Sequence, residues 1–237
     1  MRFHRTASLL AVALLLGACT GGTATSPSPS AAALATTPAP TAASSAPGAS
    51  AGAPDLSKCP TAQPAPMAAS DAKLVTIQTA KGTIVIKVEG SLSPIAAGNF
   101  VALAQCGYFT GVVFHRLVPS FVIQGGDGTY GREPNLDMAN IGTGGPAYTI
   151  TDEPVTGTYT RGTVAMAKTQ APNSANAQFF ICLADLSQKL PPSYQIFGHV
   201  TSGMDVVDAI AAMPNSGGQA NLAVNPVAMD SVTVSNP

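Results

Sequence analysis

Apolar and polar residues alternate along "LVTIQTAKGTIVIKV" (residues 74–88). A period of two marks a strand with one buried face. Ile84, Ile86 and Val88 share one face, Thr83 and Lys87 the other. Ala80-Lys81-Gly82 reads as a three-residue hairpin loop ending in Gly. The period then changes. In "SPIAAGNFVALAQCG" (93–107), Ala96, Phe100 and Leu103 recur at helical spacing, Ser93 can cap the first turn, Pro94 fits it and Gly107 ends it. A second helix is expected over "GMDVVDAIAAM" (203–213), with Val206, Val207 and Ile210 inward. The other apolar runs are short and β-like: 111–116, 120–124, 147–150, 162–167, 178–183, 196–200 and 229–234. Many short strands with two helices predict a mainly β domain, closed into a barrel whose two open ends the helices plug.

The first seventy residues break this pattern. "MRFHRTASLLAVALLLGACT" has a basic start (Arg2, Arg5) and an apolar run from Leu9 to Leu16. That run is shorter than the ~20 residues that span a bilayer and has the proportions of a secretory signal. Its end, Leu16-Gly17-Ala18-Cys19, resembles the bacterial lipobox, in which the chain is cut before the cysteine and lipid is attached to it. Residues 1–18 are therefore expected to be a lipoprotein signal peptide, with Cys19 lipidated. An ordinary signal with an accidental cysteine is the alternative. Residues 19–70 hold nine of the chain's 20 prolines among Ala, Ser, Thr and Gly. Such a segment cannot bury enough apolar surface to fold. It reads as a disordered tether reaching on the order of 40 Å, with residues 71–237 as the folded domain. The expected location is the extracytoplasmic side of a bacterial membrane, held there by lipid alone.

Charge adds an exclusion. A net charge of −1, with only 10% charged residues, offers no nucleic-acid surface. Cys59, Cys106 and Cys182 are too widely spaced for a zinc pattern, and no metal or other cofactor is implied. In an exported protein Cys59 and Cys106 could pair and pin the tether to the domain; two unpaired thiols are the alternative. Cys182, inside "QFFICL", reads as a buried thiol.

One residue does not fit a plain β-sheet. "VVFHRLVPSFVIQGGD" (112–127) places Arg116 inside an apolar run, and a guanidinium there needs a partner or a ligand. Alternation puts Phe114 and Arg116 on one face and His115 on the other, where a buried, hydrogen-bonded histidine is expected. If 120–124 pairs beside it, Arg116, Val122 and Gln124 line one surface with Phe121 at the rim. A cation, an amide and apolar groups together suit gripping a peptide backbone. "GTGGP" (142–146) lacks the Lys-Ser/Thr of a phosphate loop and reads as a loop over the site. Asp152-Glu153 reads as a solvated turn.

"FHRLVPSFVIQGGD", "GTVAMAK…NSANAQFFI" and "YQIFGHVTSGMDVVDAI" resemble, in order, the signature blocks of cyclophilin-type peptidyl-prolyl cis–trans isomerases. The resemblance covers about residues 73–236 and implies a closed eight-stranded antiparallel β-barrel capped by two α-helices. It implies catalysis by Arg116, with Phe121 and Gln124 as active-site partners. Val122, Ala167, Lys168, Gln178, Phe180, Leu190 and Tyr194 match substrate-binding positions. Val122 stands where relatives often have Met, Lys168 where Asn is usual, and Tyr194 where many have His. Lys189 stands where cyclosporin-sensitive members have Trp, which implies weak cyclosporin binding. The implied partners are proline-containing unfolded or exported polypeptides, the implied unit a monomer, with no nucleic acid. Two other classes stand beside this reading. One is a membrane-tethered proline-peptide binding or chaperone module with little turnover. The other is a carbohydrate-binding barrel, disfavoured by the absence of Trp.

Overall fold

The computed structural model describes residues 54–237. The signal peptide expected over 1–18, Cys19 and the tether up to residue 53 lie outside the described residues.

The elements in chain order are β1 (Ala72–Thr79), β2 (Gly82–Glu89), α1 (Pro94–Gln105), β3 (Val113–Val118), β4 (Val122–Gly125), β5 (Thr163–Met166), β6 (Phe179–Cys182), β7 (Ile196–Ser202), α2 (Met204–Ala211), β8 (Leu222–Ala228) and β9 (Ser231–Ser235). β1 and β2 form the expected hairpin, but Thr79 pairs directly with Gly82, so the loop holds Ala80 and Lys81 alone. The Thr79 hydroxyl donates to the Gly82 carbonyl at 2.9 Å and accepts from the Lys81 amide at 3.0 Å, which tightens the turn by one residue.

The closed eight-stranded barrel does not form. Among the described residues nine strands make one curled antiparallel sheet in the order β8-β3-β4-β6-β5-β7-β2-β1-β9. No ladder joins the edge strands β8 and β9. Instead the two residues between them cross the seam. Met229 exchanges backbone hydrogen bonds with Gly111 and Val112 ahead of β3, and the Asp230 amide donates to Gln78 of β1 at 2.8 Å. The extra strand is β8, whose Asn225-Pro226 interrupts the sequence pattern. Proline is tolerated there because β8 is an edge and one side of it needs no donors. The run 147–150 is not a strand; it contributes a single bridge between Ile150 and Ala175.

The sheet has two differently occupied faces. Inside, Phe100 of α1 packs within 5.1 Å of Phe109, Phe179 and Phe197, ring centroid to centroid, at the centre of a continuous apolar core. A smaller apolar cluster lies on the outer face and includes Val122, Tyr159, Phe180, Leu186 and Ile196. α2 buries Val207 and Ile210, while Val206 is only half-buried.

Two expectations fail at α1. Ser93 makes no capping bond, and its hydroxyl is buried without a partner. The free amides of Ile95 and Ala96 are taken by the Glu153 carboxylate at 2.8 and 2.9 Å. A charge-assisted cap from a distant loop completes the helix start more strongly than a neutral hydroxyl would. Asp152-Glu153 is therefore a bracket, not a solvated turn.

Nor does the tether run to residue 70. A short 3₁₀ turn covers Leu56–Lys58, Cys59 and Cys106 are joined by a disulfide, and the Met67 amide donates to the Pro94 carbonyl at 2.9 Å. Residues 54–70 are held by these contacts, which composition alone does not reveal. No helix among the described residues is long and apolar enough to cross a membrane.

Candidate active site

Arg116 reaches the outer face by a break in β3. Its partner is Gln124 and that of Phe114 is Gly125, so the register shifts between Phe114 and Arg116. The extra residue, His115, turns the strand. Phe114 then points into the main core, while Arg116 looks out over β4. The expectation that Phe114 and Arg116 share a face is wrong for this reason. Pro119 and Ser120 make the following turn, with Ser120 at φ 58°. The Phe121 carbonyl is held by the Leu183 amide at 2.8 Å.

A cavity of about 170 Å³ opens beside Arg116. It is lined by Arg116, Phe121, Val122, Gln124, Ala167, Lys168, Phe180, Leu190 and Tyr194. The remaining expected residue, Gln178, is buried behind this wall. It lines a second cavity of about 270 Å³ that shares Gln124, Ala167 and Lys168 with the first. Lys189 is exposed and lines neither.

The Arg116 guanidinium is half-buried, and burial lowers its pKa while Tyr194 opposes the shift. Among the described residues no carboxylate lies within ion-pair distance of it. Its one side-chain contact is long: Nη1 donates to Gln124 Oε1 at 3.4 Å. Gln124 Nε2 donates to Gln178 Oε1 at 3.0 Å, and Gln178 Nε2 donates to the Gly142 and Gly144 carbonyls at 2.9 Å each. This chain of amides orients the arginine without neutralising it. It leaves most of the five guanidinium N–H groups free for a carbonyl or lone pair.

Two supports behind this wall were not named from the sequence. Asp127, fully buried, accepts the amides of Gly142 and Gly144 through Oδ2 at 2.7 and 2.9 Å. Its Oδ1 accepts those of Thr129 and Tyr130 at 3.0 and 2.9 Å. The carboxylate fixes the 142–146 loop against Gln178. The preceding Gly126, at φ +97°, passes so close to the Ala177 carbonyl that a Cβ would stand 2.4 Å from it. "GGD" carried this signal, a close approach followed by an organising acid. The second support is Tyr159. Its hydroxyl donates to the Tyr194 carbonyl and accepts the Tyr194 amide, both at 2.9 Å. The Tyr194 ring stands edge-on to Phe180 at 5.5 Å, so Tyr159 sets the far wall of the cavity. No short motif marks Tyr159.

Lys168 Nζ lies 2.5 Å from Asp152 Oδ2. Burial raises the Asp152 pKa, but the bonds from Lys168 and Asn173 outweigh it and hold the carboxyl below its usual range. His115 is buried as expected, but neither ring nitrogen has a hydrogen-bond partner of good geometry among the described residues. Burial pushes its pKa down to about 4, with Asp127 and the nearby Val113 backbone opposing and Arg116 adding to the shift. It is a neutral packing group beneath Gly142. Cys182 is a free, buried thiol whose pKa burial pushes up to about 12, which makes it inert. No three His, Cys, Asp or Glu side chains among the described residues converge as a metal site would need.

Comparison with known proteins is consistent with this geometry. The family described as cyclophilin type peptidyl-prolyl cis-trans isomerase/CLD matches residues 74–234. A peptidyl-prolyl cis-trans isomerase of Acinetobacter baylyi is 39% identical over 168 residues, covering 68% of this chain and 85% of that one. Peptidyl-prolyl cis-trans isomerase B of Escherichia coli is 40% identical over 177 residues, covering 68% of this chain and 99% of that one. The crystal structure of a Cryptosporidium parvum cyclophilin-type isomerase determined in the presence of the dipeptide Ala-Pro superposes with a TM-score of 0.59 at 27% identity, over 69% of this chain and 99% of that one. With the family matched over most of the folded chain, this protein belongs to the cyclophilin-type peptidyl-prolyl cis–trans isomerases.

Proposed function

We propose that the protein accelerates rotation about X-Pro bonds in exported polypeptides, as a monomer lipid-anchored through Cys19, with Arg116 stabilising the twisted amide. A peptide C–N bond resists rotation by about 18–20 kcal/mol because the nitrogen lone pair is delocalised. Rotation pyramidalises that nitrogen and localises the pair. A fixed donor aimed at it favours the twisted state over the planar one, and that difference is what catalyses. The observation that carries the reading is a half-buried guanidinium, without a carboxylate partner among the described residues, facing a cavity that has apolar side chains in its wall. Phe121, Val122, Phe180 and Leu190 supply the apolar walls for a proline ring. Gln124, oriented through Gln178, faces the substrate backbone. Removal of water from the walls strengthens the donor. Lowering the barrier by about 7 kcal/mol would speed a step that takes roughly 10–100 s by about 10⁵-fold.

Refolding of a protein limited by proline isomerisation, with and without catalytic amounts of the protein, tests the reading. A slow phase that shortens in proportion to added protein is expected. A slow phase that stays fixed while an Ala-Pro peptide still binds would leave the tethered binding module in its place. The membrane anchor has its own test. Growth of the producing cells with a tritiated fatty acid should label the chain, and Cys19→Ser should remove the label.

A further inference from the structure

Residues 54–70 precede the family match at 74–234, yet they are built into the domain. Cys59 is tied to Cys106 at the end of α1. Gly98 of α1 makes room for the Ala65 carbonyl, which a Cβ would approach to 2.3 Å. Between these anchors Gln63 Oε1 accepts the Thr151 amide at 2.8 Å.

Thr151 opens the bracket that reaches the groove through Lys168. Gln195 Nε2 donates to the Thr151 carbonyl at 2.9 Å and to Glu153 Oε2 at 3.1 Å, and Glu153 caps α1. Asp152 lies between them. Its Oδ2 accepts Lys168 Nζ and the Asn173 amide, while its Oδ1 is buried without a partner. Lys168 in turn lines both cavities.

The geometry points to Gln63 as a positioning residue for the substrate groove. By fixing Thr151 it adds to the hold that Asn173 Oδ1 has on the Asp152 amide at 2.7 Å, and Asp152 holds Lys168 at the groove's edge. This rests on the isomerase reading above. Arg116 has separate anchors in Gln124, Gln178 and the 142–144 carbonyls. Loss of the Gln63 contact therefore loosens substrate binding and leaves the catalytic donor in place. The chain of cause runs from the segment ahead of the family match to the groove.

Turnover of an Ala-Pro peptide by the mature full-length chain tests it. Gln63→Met, which keeps the length and removes the acceptor, should raise KM two- to fivefold with kcat unchanged within a factor of 1.5, as expected for one partly solvated hydrogen bond. In a Lys168→Met background the same substitution should have no effect, because the residue it acts through is gone. The double substitution of Cys59 and Cys106 to Ser, which frees the start of the segment, should move KM in the same direction. An unmoved KM in Gln63→Met, an equal rise in the Lys168→Met background, or a fall confined to kcat would each overturn the inference. A parent protein with no turnover would instead overturn the proposed function, and this inference with it.

Discussion

Strands β3, β4 and β6 carry two faces of opposite character. Toward α1 they present Phe114, Leu117, Ile123, Phe179 and Ile181, each at most 1% exposed and joined in one apolar core. Away from it they present Arg116, Val122, Gln124 and Phe180, which border an open cavity. The inner face has its partners already. The outer face holds a cation and amides whose hydrogen-bonding capacity the fold leaves partly unused. Alternation along a strand lets one backbone serve both ends, and the register shift at His115 is what moves Arg116 to the open side. Stability and activity should therefore respond to neighbouring residues in different ways.

Phe179 and Phe180 give the sharpest test of that division. Phe179→Ala should cost about 3–5 kcal/mol in urea unfolding, with turnover of the remaining folded protein close to the parent's. Phe180→Ala should cost less stability and raise KM for an Ala-Pro peptide. Equal losses of stability, with no separation in KM, would mean that the two faces do not divide stability from binding.

His115 sits buried at the register shift in β3, and acid probes it. Its folded pKa of about 4 lies below the unfolded value, so the unfolded chain takes up the proton first as pH falls. Stability contributed by the neutral ring is complete above about pH 6.5, falls between there and about pH 4, and is fully lost below. The loss is on the order of 3 kcal/mol, set against the nearby charges of Asp127 and Arg116. His115→Phe should flatten the unfolding free energy across that window. A parent-like pH slope in the variant would remove His115 as its source.

Tyr159→Phe should show the smallest effect. It removes a hydroxyl that makes two bonds to the Tyr194 backbone, worth about 1 kcal/mol each. A rise of a few fold in KM, with a melting temperature lowered by only a few degrees, is expected. An unchanged KM would mean that Tyr194 holds its place without the clamp.

Much of this division was legible in the sequence. The period-two runs located the hairpin and the strands around Arg116, and the helical spacing in 93–107 located α1. Nine of the ten residues named for the site line one cavity, and Gln178 lines its neighbour. What was not legible depends on long-range pairing. The register shift that turns Phe114 away from Arg116 is set by β4 and β8, not by β3's own residues. The cap on α1 comes from Glu153, 58 residues beyond Ile95. β8 was hidden because a proline that would disqualify a central strand is harmless at an edge. The docking of 54–70 depends on a disulfide and on close backbone approaches, none of which composition encodes.

On the proposed mechanism an unneutralised guanidinium prefers the twisted prolyl amide to the flat one. Cis–trans exchange of an Ala-Pro peptide, followed by NMR exchange spectroscopy with the parent, Arg116→Lys and Arg116→Ala, tests it directly. Arg116→Ala should lose about 10²–10³-fold of the enhancement. Arg116→Lys should fall between, having the charge without the fork. Both should unfold at the parent's temperature. Parent-like exchange in a folded Arg116→Ala protein would contradict it.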